Sequence, residues 1–185
     1  MYPQDYEPEG NVMGKDYKNS LVPFSLSIII LLFDQITKAL IVAKWPRPGT
    51  FIKDVFGNDL VILYHVRNKA IAFSLGDTIP QQLRVPLFII VPLLVLALLI
   101  WYYFSTSDFT RLQRWAIAGI IGGGLGNIID RIFRKDGVVD FVSVKFYGIF
   151  GMERWPTFNV ADSSVVVCCC ILLLTMIINR EKAAE

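Results

Sequence analysis

The sequence predicts an α-helical membrane protein with four transmembrane helices and a small antiparallel sheet at the membrane surface. Three observations lead there. Of 185 residues, 54% are hydrophobic and only 18% are charged, where soluble domains carry about 25% charged residues. With a mean hydropathy of +0.51, this composition argues against a disordered chain and against an ordinary water-soluble enzyme. Apolar runs near the roughly 20 residues needed to cross a bilayer occur four times. Between them lie stretches in which β-branched and aromatic residues gather around turn residues.

Each element follows in chain order, within a single membrane domain over 1–185. Residues 1–20 are a polar tail that lacks the apolar core and cleavage site of a secretory signal peptide. The first helix is expected over 21–44, apolar from Leu21 to Ala43 and closed by Lys44-Trp45-Pro46. Residues 45–84 hold FIKDVFGNDLVILYHV and AIAFSL, read as strands around Gly57-Asn58. They must lie outside the hydrocarbon, where strand edges can be satisfied. The second helix, 85–104, has no charge and tolerates Pro86 and Pro92. The third, 115–133, carries Gly119, Gly122, Gly123, Gly124 and Gly126, a spacing that admits close neighbours and predicts a central position. A loop over 134–158 contains a strand-like stretch, Val138 to Val144. The fourth helix spans 159–178, and 179–185 is a tail.

Net charge is +2, with no Lys/Arg cluster interleaved with aromatics, so nucleic acid is not an expected partner. Cys168, Cys169 and Cys170 are consecutive within an apolar run and read as small apolar fillers.

Four consecutive crossings place the end of the first helix, the start of the second, the end of the third and the start of the fourth on one membrane face. Asp34, Gln35, Thr37, Lys38, Asn127, Asp130, Arg131, Asn159 and Asp162 all fall there, and the loops bring Asn68 and Asp140 to the same side. Ionisable groups within spans are expensive and so are functional candidates. Bland readings stand beside that one. Asp34 and Lys38, four apart, can simply neutralise each other. Asn127 and Asp130 can be helix-packing glue, and Arg131 can snorkel to the headgroups. Asp162 can be a first-turn carboxylate with Asn159 as cap. Convergence favours chemistry, since two close carboxylates share a proton and supply acid and base together, as in aspartic peptide hydrolysis. One histidine without HExxH, no GxSxG and no phosphate-binding glycine loop leave the competing chemistries incomplete.

Five blocks then appear in order: FDQITK (33–38), NKAIAFSLG (68–76), GGGLGNIIDR (122–131), VVDFV (138–142) and FNVADS (158–163). In these the chain resembles the bacterial lipoprotein signal peptidases, signal peptidase II, from about Ser25 to Ile178. The resemblance implies four helices with a β-cradle and a short surface helix on the outer, extracytoplasmic side. It implies an aspartic endopeptidase that cuts diacylglyceryl prolipoproteins just before the lipidated cysteine. Asp140 and Asp162 are the implied catalytic pair. Asp34, Lys38, Asn68, Gly123, Asn127, Arg131 and Asn159 match supporting positions, and Asp130 joins them as a brace for Arg131 and the helix end. No metal or cofactor is expected. The implied partners are the prolipoprotein substrate and membrane phospholipids, around a monomer in the bacterial cytoplasmic (inner) membrane with cytoplasmic termini and an outward-facing site.

Two departures stand out. Ala70 occupies a position where the family block has glycine, and the Asp130 to Asp140 spacing is one residue long, which predicts a bulge between Phe133 and Gly137. The charge count also runs against the implied orientation, with ten Lys/Arg on outer segments and six on inner ones. From the residues alone, Asp130 is the natural partner for Asp162. The alternative from another class is a proton-coupled carrier or channel subunit, which predicts polar residues through both leaflets. A structural membrane subunit is the blandest reading.

Overall fold

The computed structural model describes residues 20–68 and 80–182. The polar tail over 1–19, the AIAFSL stretch, Ala70 and any surface helix between 69 and 79 lie outside the described residues. Among those described, four helices are long and apolar enough to cross a membrane.

α1 runs from Phe24 to Lys44 and turns its polar stripe inward. Ser27, Asp34, Lys38 and Ile41 are buried, while Ile29, Leu32, Phe33, Ile36 and Leu40 are exposed. In water this pattern would be inverted, but in lipid it is the stable one, since the solvent is apolar. The second span covers Gln82–Ser105 and starts ahead of the expected Val85. It comprises a short α2 (Gln81–Val85), a π-helical turn over Pro86–Ile90 and α3 (Val91–Ser105). The π turn sits between Pro86 and Pro92 and accommodates prolines that cannot donate to the regular ladder.

α4 (Arg111–Phe133) begins with a capping box in which Thr110 and Gln113 satisfy each other's backbone N–H groups. It is the central helix: 56% of its best membrane window is buried, against 22% for α1 and 11% for the second and fourth spans. Its glycines explain how. A Cβ at Gly122 would lie 2.7 Å from the Ser27 carbonyl oxygen of α1, and one at Gly119 would strike the Cys168 side chain of α5 (Val160–Lys182). Gly123 faces the Ala161 backbone and Val165 in the same way. Helix backbones therefore approach on both flanks of α4, the small-residue packing that membrane helices use. Leu96, Tyr103, Ile117, Ile121 and Ile128 fill the space between α3 and α4.

The described strands, β1 (Phe51–Asp54), β2 (Val61–Asn68) and β3 (Val138–Val144), form an antiparallel sheet in that order. Asp54 collects the N–H groups of Phe56, Gly57 and Asp59 to close the first hairpin. β2 pairs Val61 with Val144 and Asn68 with Val138, with an irregularity between Leu63 and Val66. Val139 and Phe141 pack with Ile41 and Trp45, seating the sheet on the end of α1. The expected bulge after α4 is instead a tight turn, closed by a 3.1 Å bond from the Gly137 N–H to the Arg134 carbonyl with Gly137 at φ +88°. After β3 the chain makes an excursion and returns antiparallel, bridging Lys145 to Arg154 and Val142 to Phe158. That return delivers Asn159 and the first turn of α5 beside Asp140.

Candidate active site

The site has two polar layers. The lower one joins α1 to α4. The Lys38 ammonium lies 2.8 Å from Asp34 Oδ2 and 3.4 Å from Asp130 Oδ2, and it donates to Asn127 Oδ1 at 3.0 Å; Lys38, Asp34 and Asp130 are fully buried. Asp34 Oδ1 accepts the Ala161 N–H at 2.9 Å, which ties in α5. The Gln35 amide reaches Asp34, Asp130 and the Gly126 carbonyl at 3.0 to 3.1 Å. Asp130 also accepts the Val139 N–H (3.0 Å) and pairs with Arg134 (3.0 Å). Every buried charge here has an opposite charge and hydrogen bonds, which is what such burial demands.

The upper layer holds the carboxylate pair. Asp140 projects from β3 and is 2% exposed. Its oxygens accept one bond each, from Asn68 Nδ2 at 2.9 Å and from Asn159 Nδ2 at 2.7 Å. Asp162 lies in the first turn of α5. Its Oδ1 accepts from Asn127 Nδ2 at 2.7 Å and its Oδ2 from the Asn159 N–H at 3.1 Å. Asn159 Oδ1 in turn accepts the Asp162 N–H at 2.9 Å, so the two residues form a reciprocal helix cap. The bland capping reading of Asn159 and Asp162 is therefore correct as far as it goes. The Asn159 side-chain amide does more, since it also reaches Asp140 and the Asn127 oxygen.

Electrostatics separate Asp140 from ordinary surface carboxylates. Burial, and next the nearby charge of Asp162, push the Asp140 carboxyl up to about 7; the bonds from Asn68 and Asn159 and the charge of Lys38 oppose this. Arg131 lies within electrostatic reach of Asp162, Asp140 and Asp130, and its guanidinium sits 5.7 Å from the centre of the Phe88 ring. Beside the pair opens a cavity of about 250 Å³. Among the described residues no group of three His, Cys, Asp or Glu side chains is arranged to hold a metal ion.

The structure thus gathers Asp34, Lys38, Asn68, Asn127, Asp130, Asp140, Asn159 and Asp162 into one hydrogen-bonded cluster, with Arg131 alongside. Gly123 contributes by admitting α5 rather than by lining the site. One role widens: besides lying within electrostatic reach of Arg131, Asp130 pairs with Arg134, four residues on along the same helix face. Two participants had no assigned role, Gln35 and Arg134. The spacing of Asp130 and Arg134 was a usable signal for the second.

A four-helix membrane fold around a pair of amide-held carboxylates defines a membrane peptidase of the aspartic type. The family model for Signal peptidase (SPase) II matches residues 26–178, and the chain belongs to that family. It is 45% identical over 148 residues to the lipoprotein signal peptidase of Treponema pallidum (strain Nichols), covering 80% of this chain and 78% of the relative. It is 48% identical over 151 residues to the lipoprotein signal peptidase of Treponema denticola, covering 82% and 84%. Among solved structures, one described as a bacterial membrane enzyme determined by the in meso method at 2.3 Å resolution matches with a TM-score of 0.71 and 24% identity, over 86% of this chain and 90% of that one. That likeness shows the fold. Family membership counts against the carrier reading.

Proposed function

We propose that this protein hydrolyses the peptide bond immediately before the diacylglyceryl-modified cysteine of a prolipoprotein, with Asp140 and Asp162 as acid and base. One observation carries this assignment: Asn159 caps α5 through Asp162 while its side-chain amide grips Asp140, so one residue holds both carboxylates in register. Asp140, raised to about 7, carries the shared proton and donates it to the scissile carbonyl oxygen. Ionised Asp162 takes a proton from water, whose oxygen attacks the carbonyl carbon. As the tetrahedral species collapses, Asp162 passes its proton to the departing cysteine amine, the C–N bond breaks, and Asp140 recovers its own proton. Asn68, Asn127 and Asn159 donate to the pair throughout, and Lys38 fixes Asn127 from below.

The polar cluster lies at one membrane face, which suits a substrate whose acyl chains remain in lipid. We assign that face to the outside of the cytoplasmic membrane, with both termini cytoplasmic and the enzyme working as a monomer among phospholipids. The decisive experiment compares the wild type with Asp140→Asn and Asp162→Asn on a diacylated prolipoprotein peptide. Cleavage by the wild type alone supports the assignment, and near-normal turnover by a folded Asp140→Asn protein refutes it. Thiol labelling of single cysteines placed at Lys53 and at Asp108 in intact cells tests the orientation.

A further inference from the structure

We propose that the cavity beside the carboxylate pair holds the phosphate headgroup of an anionic membrane phospholipid. Among the described residues its wall contains four cationic side chains, Arg84, Arg131, Arg134 and Lys135, together with Asn68 and Phe88, and no carboxylate. The nearby carboxylates act on Arg131 through their charge and are also held by other partners. Asp130 takes Arg134 Nε, Lys38 and the Val139 N–H, while Asp140 and Asp162 take the asparagine amides. Lys135 is exposed and joins no ion pair among the described residues. A catalytic pair by itself calls for one proton and its hydrogen-bond donors. It gives no reason for Lys135, from the turn after α4, to face the same cavity.

Location and chemistry select the occupant. Arg84 precedes the apolar stretch of the second span, and Arg131 and Arg134 end the third, so the cations lie where two antiparallel spans leave the hydrocarbon on one face. Headgroup phosphates occupy that depth. The same helix ends expose Val85, Leu87, Ile132 and Phe133 to the surroundings, an apolar wall for acyl chains immediately below a cationic one. A guanidinium presents two parallel N–H donors that match two phosphate oxygens, which makes clustered arginines a phosphate site. At about 250 Å³ the cavity is smaller than the roughly 300 Å³ or more that encloses a whole drug-sized ligand. It therefore takes a headgroup and leaves the chains outside. Arg131 stands at once in the cavity wall and within reach of Asp140 and Asp162, so the bound lipid would adjoin the reaction centre.

The inference rests on the membrane-spanning fold and not on the peptidase reading, and its test measures binding alone. The full chain, purified in neutral detergent, is titrated by native mass spectrometry with phosphatidylglycerol, with phosphatidylcholine of the same acyl chains, and with inorganic phosphate. One phosphatidylglycerol per protein should bind in preference to phosphatidylcholine. The double variant Arg84→Gln/Lys135→Gln should weaken it about thirtyfold, in line with the summed contribution of two basic residues near an anionic surface. Lys44→Gln/Lys53→Gln, which removes two exposed charges outside the cavity, should leave it unchanged. If the double variant melts early, Lys135→Gln alone serves, since that side chain is exposed and its loss should still weaken binding measurably. Equal binding of the two lipids, or full affinity in a folded cavity variant, overturns the proposal. Inorganic phosphate binding as tightly as phosphatidylglycerol also overturns it, by identifying a site for free anions.

Discussion

The proton on Asp140 decides what the carboxylate pair can do. With the carboxyl raised to about 7, kcat/KM should fall as pH rises beyond 7, reporting the titration of the pair as a unit. Stability should respond too. From the ordinary value of 3.8 to about 7 the unfolded chain loses a proton that the folded one keeps, so stability declines with rising pH across that window and levels off above it, by about 1.4 kcal/mol per pH unit at most. Thermal melts in detergent between pH 4 and 8 should show this slope in the wild type and a flatter one in Asp140→Asn. As catalysts, Asp140→Asn and Asp162→Asn should each lose on the order of 10²- to 10⁴-fold in rate while purifying normally, because the amide keeps the shape but transfers no proton. Asp130→Asn is a different kind of variant. It strips a buried partner from Lys38 and Arg134, and should cost about 3–5 kcal/mol of stability, read as a lowered melting temperature. Spacing alone favours Asp130 over Asp140 as the partner of Asp162, because a helical carboxylate near glycines looks engaged and a loop aspartate looks solvated. What reverses the ranking is a strand register, Val66 against Asp140, and long-range burial, neither of which local sequence encodes. The five ordered blocks point to Asp140 and Asp162 only through family resemblance.

Among the elements, α4 is where packing and chemistry are hardest to separate. Gly126 has no room for a side chain: a Cβ there would lie 2.7 Å from Asp34 Oδ2 and 3.2 Å from the Ala161 Cβ. Gly126→Ala should therefore cost about 1–3 kcal/mol by overpacking and should lower activity further by displacing Asp34 from Lys38 and from the Ala161 N–H. Melting temperature and turnover measured on the same preparation check both effects. The spans are legible because lipid requires long uninterrupted apolar runs, and the central place of α4 because only glycines permit contact on two flanks. β3 is legible for a related reason, since its residues Val138 to Val144 are nearly all β-branched or aromatic. The π turn over Pro86–Ile90 is not. Two prolines announce a disturbed ladder without saying how neighbouring turns absorb it. The turn at Arg134–Gly137 likewise depends on one left-handed glycine, and a residue count alone suggests slack.

The whole molecule places hydrolysis at the edge of a solvent that excludes water. A diacylated peptide should be cleaved far better than its unacylated twin, because each methylene kept in lipid contributes about 0.8 kcal/mol and the unacylated chain forgoes all of them. Parallel assays of the two peptides at equal concentration check this, and equal rates would contradict it. Orientation is the least legible property at this scale. The charge count opposes the proposed outward site, and the proposed headgroup site would account for part of the positive charge on that face. The polar joint between α1 and α4 bears on how the protein comes into existence. A charged side chain central in a span costs about 2.5–3.5 kcal/mol on insertion; Asp34 and Lys38 lie within α1, while Asp130 and Arg131 lie in the last turn of α4, the least hydropathic of the four spans. Across the joint Lys38 meets Asp130, so each helix offsets a charge of the other. Lys38 and Asn127 are 89 residues apart in the chain, so the joint can close only once the third helix has been made.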